Sequence, residues 1–355
     1  MVAFAYGDMT RRLLIALVLL AVPTAARAED APANQTGAGV GTPQALVLVH
    51  GVGNQKPGDY DVFLGRVRSA FESEVKRLTG KTPPKSALQA KAAIWGDVTQ
   101  KDQETYLQRM KERGYTPSNL DRAAVGIGGD ALSYGGFKQR EMVSRVKSAI
   151  SEVASNMGNK QGDLTLVGHS WGSVVSSDAM WDLTESKRNG SGQMPANLKW
   201  RRFVTMGGPL AIEAQKVELE RLRPVKPEEW TNVWYRRDVV GKPLEPLGNE
   251  YEARVKSGQI NEVQFRASHG YGRLNNLFRR LLGHLRYSGT AAHTHYWTDP
   301  RIVTDLGHRL AHQYVGTYGA KAASAHGAKT ITALPKSNFL IPKILNRDVR
   351  SATHH

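Results

Sequence analysis

The 355 residues include no cysteine. No disulfide is available, so the fold must be held by its core alone, which a chain of this length can build. A lipid anchor on a cleavage-site cysteine is excluded for the same reason. The N-terminal apolar run, Leu13–Val22, covers ten residues, too few for a membrane helix, which needs roughly 20. Acidic residues are in the minority, 32 against 48 lysines and arginines, for a formal charge of +16. Such a surface is drawn to polyanions such as anionic lipid or an acidic envelope polymer. No nucleic-acid-binding motif accompanies the charge, so no nucleic-acid partner is expected. Hydrophobic residues at 40% and charged residues at 23% exclude disordered, collagen-like and polytopic membrane classes.

What is present begins with an address. Arg11 and Arg12 precede the apolar run, and Pro23 and Ala26-Arg27-Ala28 follow it. This is the pattern of a secretory signal peptide over residues 1–28, cut after Ala28, and it predicts export to the periplasm or the medium. An uncleaved anchor and a twin-arginine signal are the alternatives, and Met9 is a second candidate start. Cleavage would remove three arginines and one aspartate, leaving +14. Residues 29–44 read as a flexible linker of small and polar residues. Residues 45–333 read as the folded domain. The tail, 334–355, interrupted by Pro335 and Pro342, reads as a loose extension.

Within the domain, Ala45–Val49 is a continuous apolar run, as expected of a strand buried on both faces. Helical spacing follows over 61–78 through Phe63, Leu64, Val67, Phe71 and Leu78. A short strand is expected over Ala90–Trp95 and a polar helix within 97–122. A glycine-rich stretch, 125–136, precedes a helix from about Lys138 to Met157. Leu164–Val167 is a second apolar strand, followed by a helix to about Lys187. Phe203–Met206 and Asn232–Tyr235 are further strands, and a final helix carries Ile302, Val303, Leu306 and Leu310. No element is assigned over 249–265. Strands alternating with helices predict an α/β fold, a mostly parallel sheet covered by helices on both faces.

The strongest chemical signal is Gly168-His169-Ser170-Trp171-Gly172. It is a G-x-S-x-G motif between an apolar strand and a helix-like stretch, the context a nucleophile elbow requires. Ser170 would occupy a sharp turn with strained backbone angles. Gly168 and Gly172 would let strand and helix approach closely. The helix N-terminus would offer amide hydrogens to a developing oxyanion. Two further stretches stand out, His50-Gly51-Val52-Gly53-Asn54-Gln55 directly after the first strand, and Ala292-His293-Thr294-His295-Tyr296-Trp297 late in the chain.

Together HGVGNQ, GHSWGS and AHTHYW resemble a branch of bacterial lipase- or esterase-like α/β-hydrolases, over roughly residues 45–312. The resemblance implies an α/β-hydrolase fold, a Ser-Asp-His triad, and neither metal nor cofactor. It implies oxyanion donors at the backbone amides of Val52 and Trp171, with His50 bracing its loop through a hydrogen bond. The acid must follow the serine and precede the histidine. Asp238 sits just past a strand, where similar members carry Asp-x-Val, and its neighbours Arg236 and Arg237 would keep it ionised. Asp178, eight residues past the serine, falls inside the helix. For the base, the family pattern His-x-x-Tyr-Trp selects His293, with His295 and His269 as alternatives. Asp299-Pro300 reads as N-cap and first position of the last helix.

The function expected is hydrolysis of carboxylic esters, acyl or lipid, through an acyl-enzyme. An amidase or peptidase with the same triad, or a binding protein on a hydrolase scaffold, would share these motifs. Residues 273–286 carry an apolar stripe (Leu274, Leu277, Phe278, Leu281, Leu282, Leu285), with Arg273, Arg279, Arg280 and Arg286 mainly outside it. An amphipathic helix of this kind packs on the body, or covers an acyl pocket and meets an anionic membrane.

Overall fold

Six strands form one sheet in the order β2-β1-β3-β4-β5-β6, with every neighbouring pair parallel. A computed structural model describes residues 41–118, 121–122, 124–134, 136–184, 193–214, 224–236, 238–265 and 289–316, within the unit Val40–His355. In chain order the principal elements are β1 (Gln44–Val49), α1 (Asp61–Thr79), β2 (Leu88–Ala93), α2 (Asp97–Glu112), α3 (Gly136–Asn156) and β3 (Gly162–His169). They continue with α4 (Trp171–Thr184), β4 (Leu198–Met206), β5 (Glu229–Tyr235), α5 (Asn249–Lys256), β6 (Ile260–Phe265) and α6 (Pro300–Tyr314).

The sheet is central because its inner strands are apolar on both faces. All six residues of β1 and all eight of β3 are buried. On β1, Ala45, Val47 and Val49 pack with Met142, Val146 and Ile150 of α3 and Val175 and Met180 of α4. Leu46 and Leu48 point the other way, against Val67 and Phe71 of α1 and Leu306 and Leu310 of α6. Alternate residues of one strand thus fill two separate cores.

Three departures from the sequence reading have physical causes. β4 begins at Leu198, ahead of the apolar run at Phe203, because Arg202 is buried there against Glu229 at 3.0 Å. A charged residue inside a strand breaks an apolar-run criterion even when its charge is matched. The helix within 97–122 ends at Glu112, shortly before Gly114 turns the chain at φ 83°. The elements α5 and β6 were not anticipated. β6 carries a half-buried carboxylate, Glu262, that accepts from Asn232 Nδ2 (2.9 Å) and the Leu244 amide (2.6 Å). Among the described residues, no helix is long and apolar enough to cross a membrane. The expected signal peptide, the tail and the stripe at 273–286 lie outside the described residues.

The strand order also sets where a site belongs. The chain leaves β1 to one side for β2, then crosses to the other side for β3. In an open parallel sheet the crevice beyond the carboxyl ends of the strands at such a switch point is where ligands bind. The loop at His50 leaves β1 there, and Ser170 leaves β3 beside it.

Candidate active site

Ser170 has φ +53°, and it is the one positive-φ residue other than glycine among the described residues. A side-chain-bearing residue in this region is strained and persists only when its surroundings hold it. Here the Ser170 amide donates to Met206 O at 2.9 Å, and the Ser170 carbonyl accepts from the Ser173 amide at 2.9 Å. α4 starts at the next residue, so its N-terminal dipole end faces the serine. The glycine at 172 is required by contact, since a Cβ there would lie 2.3 Å from the carbonyl oxygens of Val49 and His50. Across the crevice, a Cβ on Gly51 would lie 2.5 Å from Ser170 Cβ. The chain leaving β1 therefore lies directly against the serine. Gly168 closes the end of β3, where its carbonyl accepts from Ser173 Oγ at 2.9 Å.

His293 meets the serine from the far end of the sequence. Its Nε2 is 2.7 Å from Ser170 Oγ, and its Nδ1 is 3.0 Å from both carboxylate oxygens of Asp238. A carboxylate only accepts, so Nδ1 carries the proton and Nε2 turns its lone pair to the hydroxyl. Asp238 is fully buried at its side chain. Burial alone would raise its carboxyl, but the His293 hydrogen bond and charge, Tyr296 Oη (2.6 Å) and the Val240 amide (2.8 Å) outweigh it and lower it below its ordinary value. The sequence expectation had named the flanking arginines as the groups that keep it ionised. Arg236 is exposed, and Arg237 lies outside the described residues.

The other candidates have other partners. His295 Nδ1 is 3.2 Å from Thr298 Oγ1, and its ring lies against Tyr235. Asp178 accepts from Tyr134 Oη (2.6 Å) and Gln139 Nε2 (2.8 Å). Asp299 caps α6 by accepting from the Arg301 amide at 2.9 Å, and it also accepts from Tyr235 Oη. His269 lies outside the described residues. His293 itself sits in a helical turn, Gly289–Thr294, rather than in an open loop. The helical turn that follows it, His295–Trp297, carries the residue the sequence reading missed. Tyr296, three positions on, reaches the same carboxylate and also accepts from the Tyr235 amide at 3.1 Å. The His-x-x-Tyr spacing was the available signal, because residues three apart on a helical turn share a face.

Two neutral histidines brace the surroundings. His50 is fully buried. Its Nε2 accepts from the Trp95 amide (2.9 Å) and its Nδ1 donates to Gly51 O (2.6 Å). His169 Nε2 donates to the His293 carbonyl at 2.8 Å, and its ring packs on Trp297. Burial lowers His50 to about 4, and burial together with the neighbouring His293 lowers His169 to about 3, from an ordinary 6.5. Below pH 6.5 the unfolded chain binds protons that the folded chain refuses, so stability falls as pH falls until the folded values are reached. Each histidine contributes about 1.4 kcal/mol per pH unit in that window. Burial raises the carboxyls of Asp178 and Glu262, which act in the opposite sense lower in the window. Urea melts should therefore show a steady loss of stability from pH 6.5 to 5. A flat profile there would mean that the two rings are solvated.

Among the described residues no group of three or more His, Asp or Glu side chains is arranged to hold a metal ion. No family model matches the chain, and no curated protein matches it. Among solved structures it is similar to a protein of Lactobacillus plantarum WCFS1 designated a putative cell surface hydrolase, at 12% identity, over 68% of this chain and 92% of that one, with a TM-score of 0.24. So distant a likeness carries no argument about activity. The parallel sheet in its 2-1-3-4-5-6 order, with a strained serine between β3 and its helix, is that of an α/β-hydrolase fold.

Proposed function

We propose that the chain is a serine hydrolase of carboxylic esters, with Ser170 as nucleophile, His293 as base and Asp238 as the acid that orients it. The observation that carries this reading is the continuous line of hydrogen bonds from Ser170 Oγ through both nitrogens of His293 to Asp238. His293 Nε2 takes the serine proton as Oγ attacks the acyl carbonyl. Asp238 stabilises the imidazolium that forms. The negative oxygen of the tetrahedral intermediate faces the amides of Val52 and Trp171, at the positive end of α4. Collapse expels the alcohol, which takes the proton from His293. Water, deprotonated by the same nitrogen, then attacks the acyl-enzyme, and the acid is released as His293 returns the proton to Ser170 Oγ.

The lipase-like branch, export, and contact with an anionic lipid surface through Arg273, Arg279, Arg280 and Arg286 extend the same proposal. The test is a panel of p-nitrophenyl esters graded from acetate to palmitate, run beside matched p-nitroanilides, with fluorophosphonate labelling of the same protein. Turnover of esters well above anilides, with one label per chain, is expected. Turnover of anilides alone would make the chain an amidase. Absence of both label and turnover would leave a binding protein on a hydrolase scaffold.

A further inference from the structure

Asp130 is a buried carboxylate that the mechanism above leaves unused. It is 1% exposed and sits in the helical turn Gly129–Ser133, inside the glycine-rich stretch to which the sequence assigned no role. One carboxylate oxygen accepts from the Gly53 amide at 2.6 Å. The other accepts from Thr99 Oγ1 and Gln103 Nε2, both on α2. Gly53 belongs to the HGVGNQ loop, seventy-seven residues earlier in the chain.

The peptide joining Val52 to Gly53 is held at both ends. Its N–H is the one bonded to Asp130, and its carbonyl accepts from Gln55 Nε2 at 3.2 Å. On the other side, Gly51 is fixed against Ser170. The torsions on both sides of the Val52 Cα are thereby confined, and with them the direction of the Val52 amide. Without these bonds Gly53, at φ +119°, would leave the loop free to rotate. A hydrogen bond to a carboxylate is about twice as strong as a neutral one, which suits an anchor that must hold a loop in place.

We propose that Asp130, assisted by Gln55, is the positioning residue of the oxyanion loop, acting on the transition state through the Val52 amide. This rests on the ester-hydrolase reading above. The alternative is an anchor that merely joins α2 and the glycine-rich stretch to the body. The experiment compares Asp130→Ala, Asp130→Asn and Gln55→Ala in the full chain. It measures kcat and KM per active site titrated to completion with fluorophosphonate, and inhibition by a trifluoromethyl ketone, which forms a hemiketal oxyanion on the serine.

Losing one oxyanion donor costs about 10²–10³ in kcat, so misaiming one should cost about 10–100-fold. In Asp130→Ala kcat should fall by that factor with KM nearly unchanged, and ketone affinity should fall in parallel. Asp130→Asn should recover most of the loss, because its amide oxygen still accepts from Gly53. Gln55→Ala should show the same split at smaller size, and it carries the test alone if Asp130→Ala does not fold. An unchanged kcat per titrated site, or a lowered kcat with intact ketone affinity, would overturn the proposal. A native chain that takes no label at Ser170 would overturn the ester-hydrolase reading and this one with it.

Discussion

Ser170→Ala is expected to abolish fluorophosphonate labelling and to lower kcat by roughly 10⁶, the scale seen when a triad nucleophile is removed. The size follows from the absence of a substitute. Among the described residues no other serine has a histidine nitrogen within hydrogen-bonding distance of its hydroxyl, whereas Ser170 Oγ lies 2.7 Å from His293 Nε2. The variant should also fold normally. Alanine keeps the Cβ on which Gly51 packs, keeps both backbone hydrogen bonds of the elbow, and bears the same strain at φ +53°. A melting transition within about 0.5 kcal/mol of the native chain is expected, as for a change that removes no packing. Loss of activity with intact folding separates a chemical role from a structural one. Persistent labelling of the variant would place the nucleophile elsewhere.

The sequence made the elbow legible because its requirements are local. A strand buried on both faces reads as a continuous apolar run, and the glycines at 168 and 172 sit where neighbouring backbone leaves no room. The remainder depended on contacts between distant segments. The bond between His293 and Ser170 joins residues 123 positions apart, and that between His293 and Asp238 joins residues 55 apart. Only the family pattern and chain order pointed to them. Adjacent arginines suggested the source of Asp238's ionisation, while the groups that stabilise it are His293, Tyr296 and the Val240 amide. The opening of β4 and the whole of β6 escaped notice because polar residues there are matched by partners within the fold. Glu229 receives Arg202 and Arg309, and Glu262 receives Asn232 and Trp234. A buried charge with its partner looks, in sequence, like a surface charge without one.

The two histidines of the late motif should separate cleanly. His293→Ala is expected to lower kcat nearly as far as Ser170→Ala, because nucleophile and base act as one unit and losing either removes the function of both. The double variant should be no worse than either single one. Asp238→Asn should cost less, on the order of 10⁴. The carboxamide NH2 facing His293 Nδ1 would favour the tautomer that protonates Nε2, which cannot take the serine proton. His295→Ala should retain most activity, since its ring nitrogen bonds to Thr298 and its face to Tyr235. Initial rates on one short-chain ester, normalised to folded protein, decide the matter. An inactive His295→Ala beside an active His293→Ala would move the base two residues along the chain. An active Asp238→Asn beside an inactive Asp299→Asn would move the acid to the N-cap of α6, against the present geometry in which Asp299 is already committed to Tyr235 and Arg301.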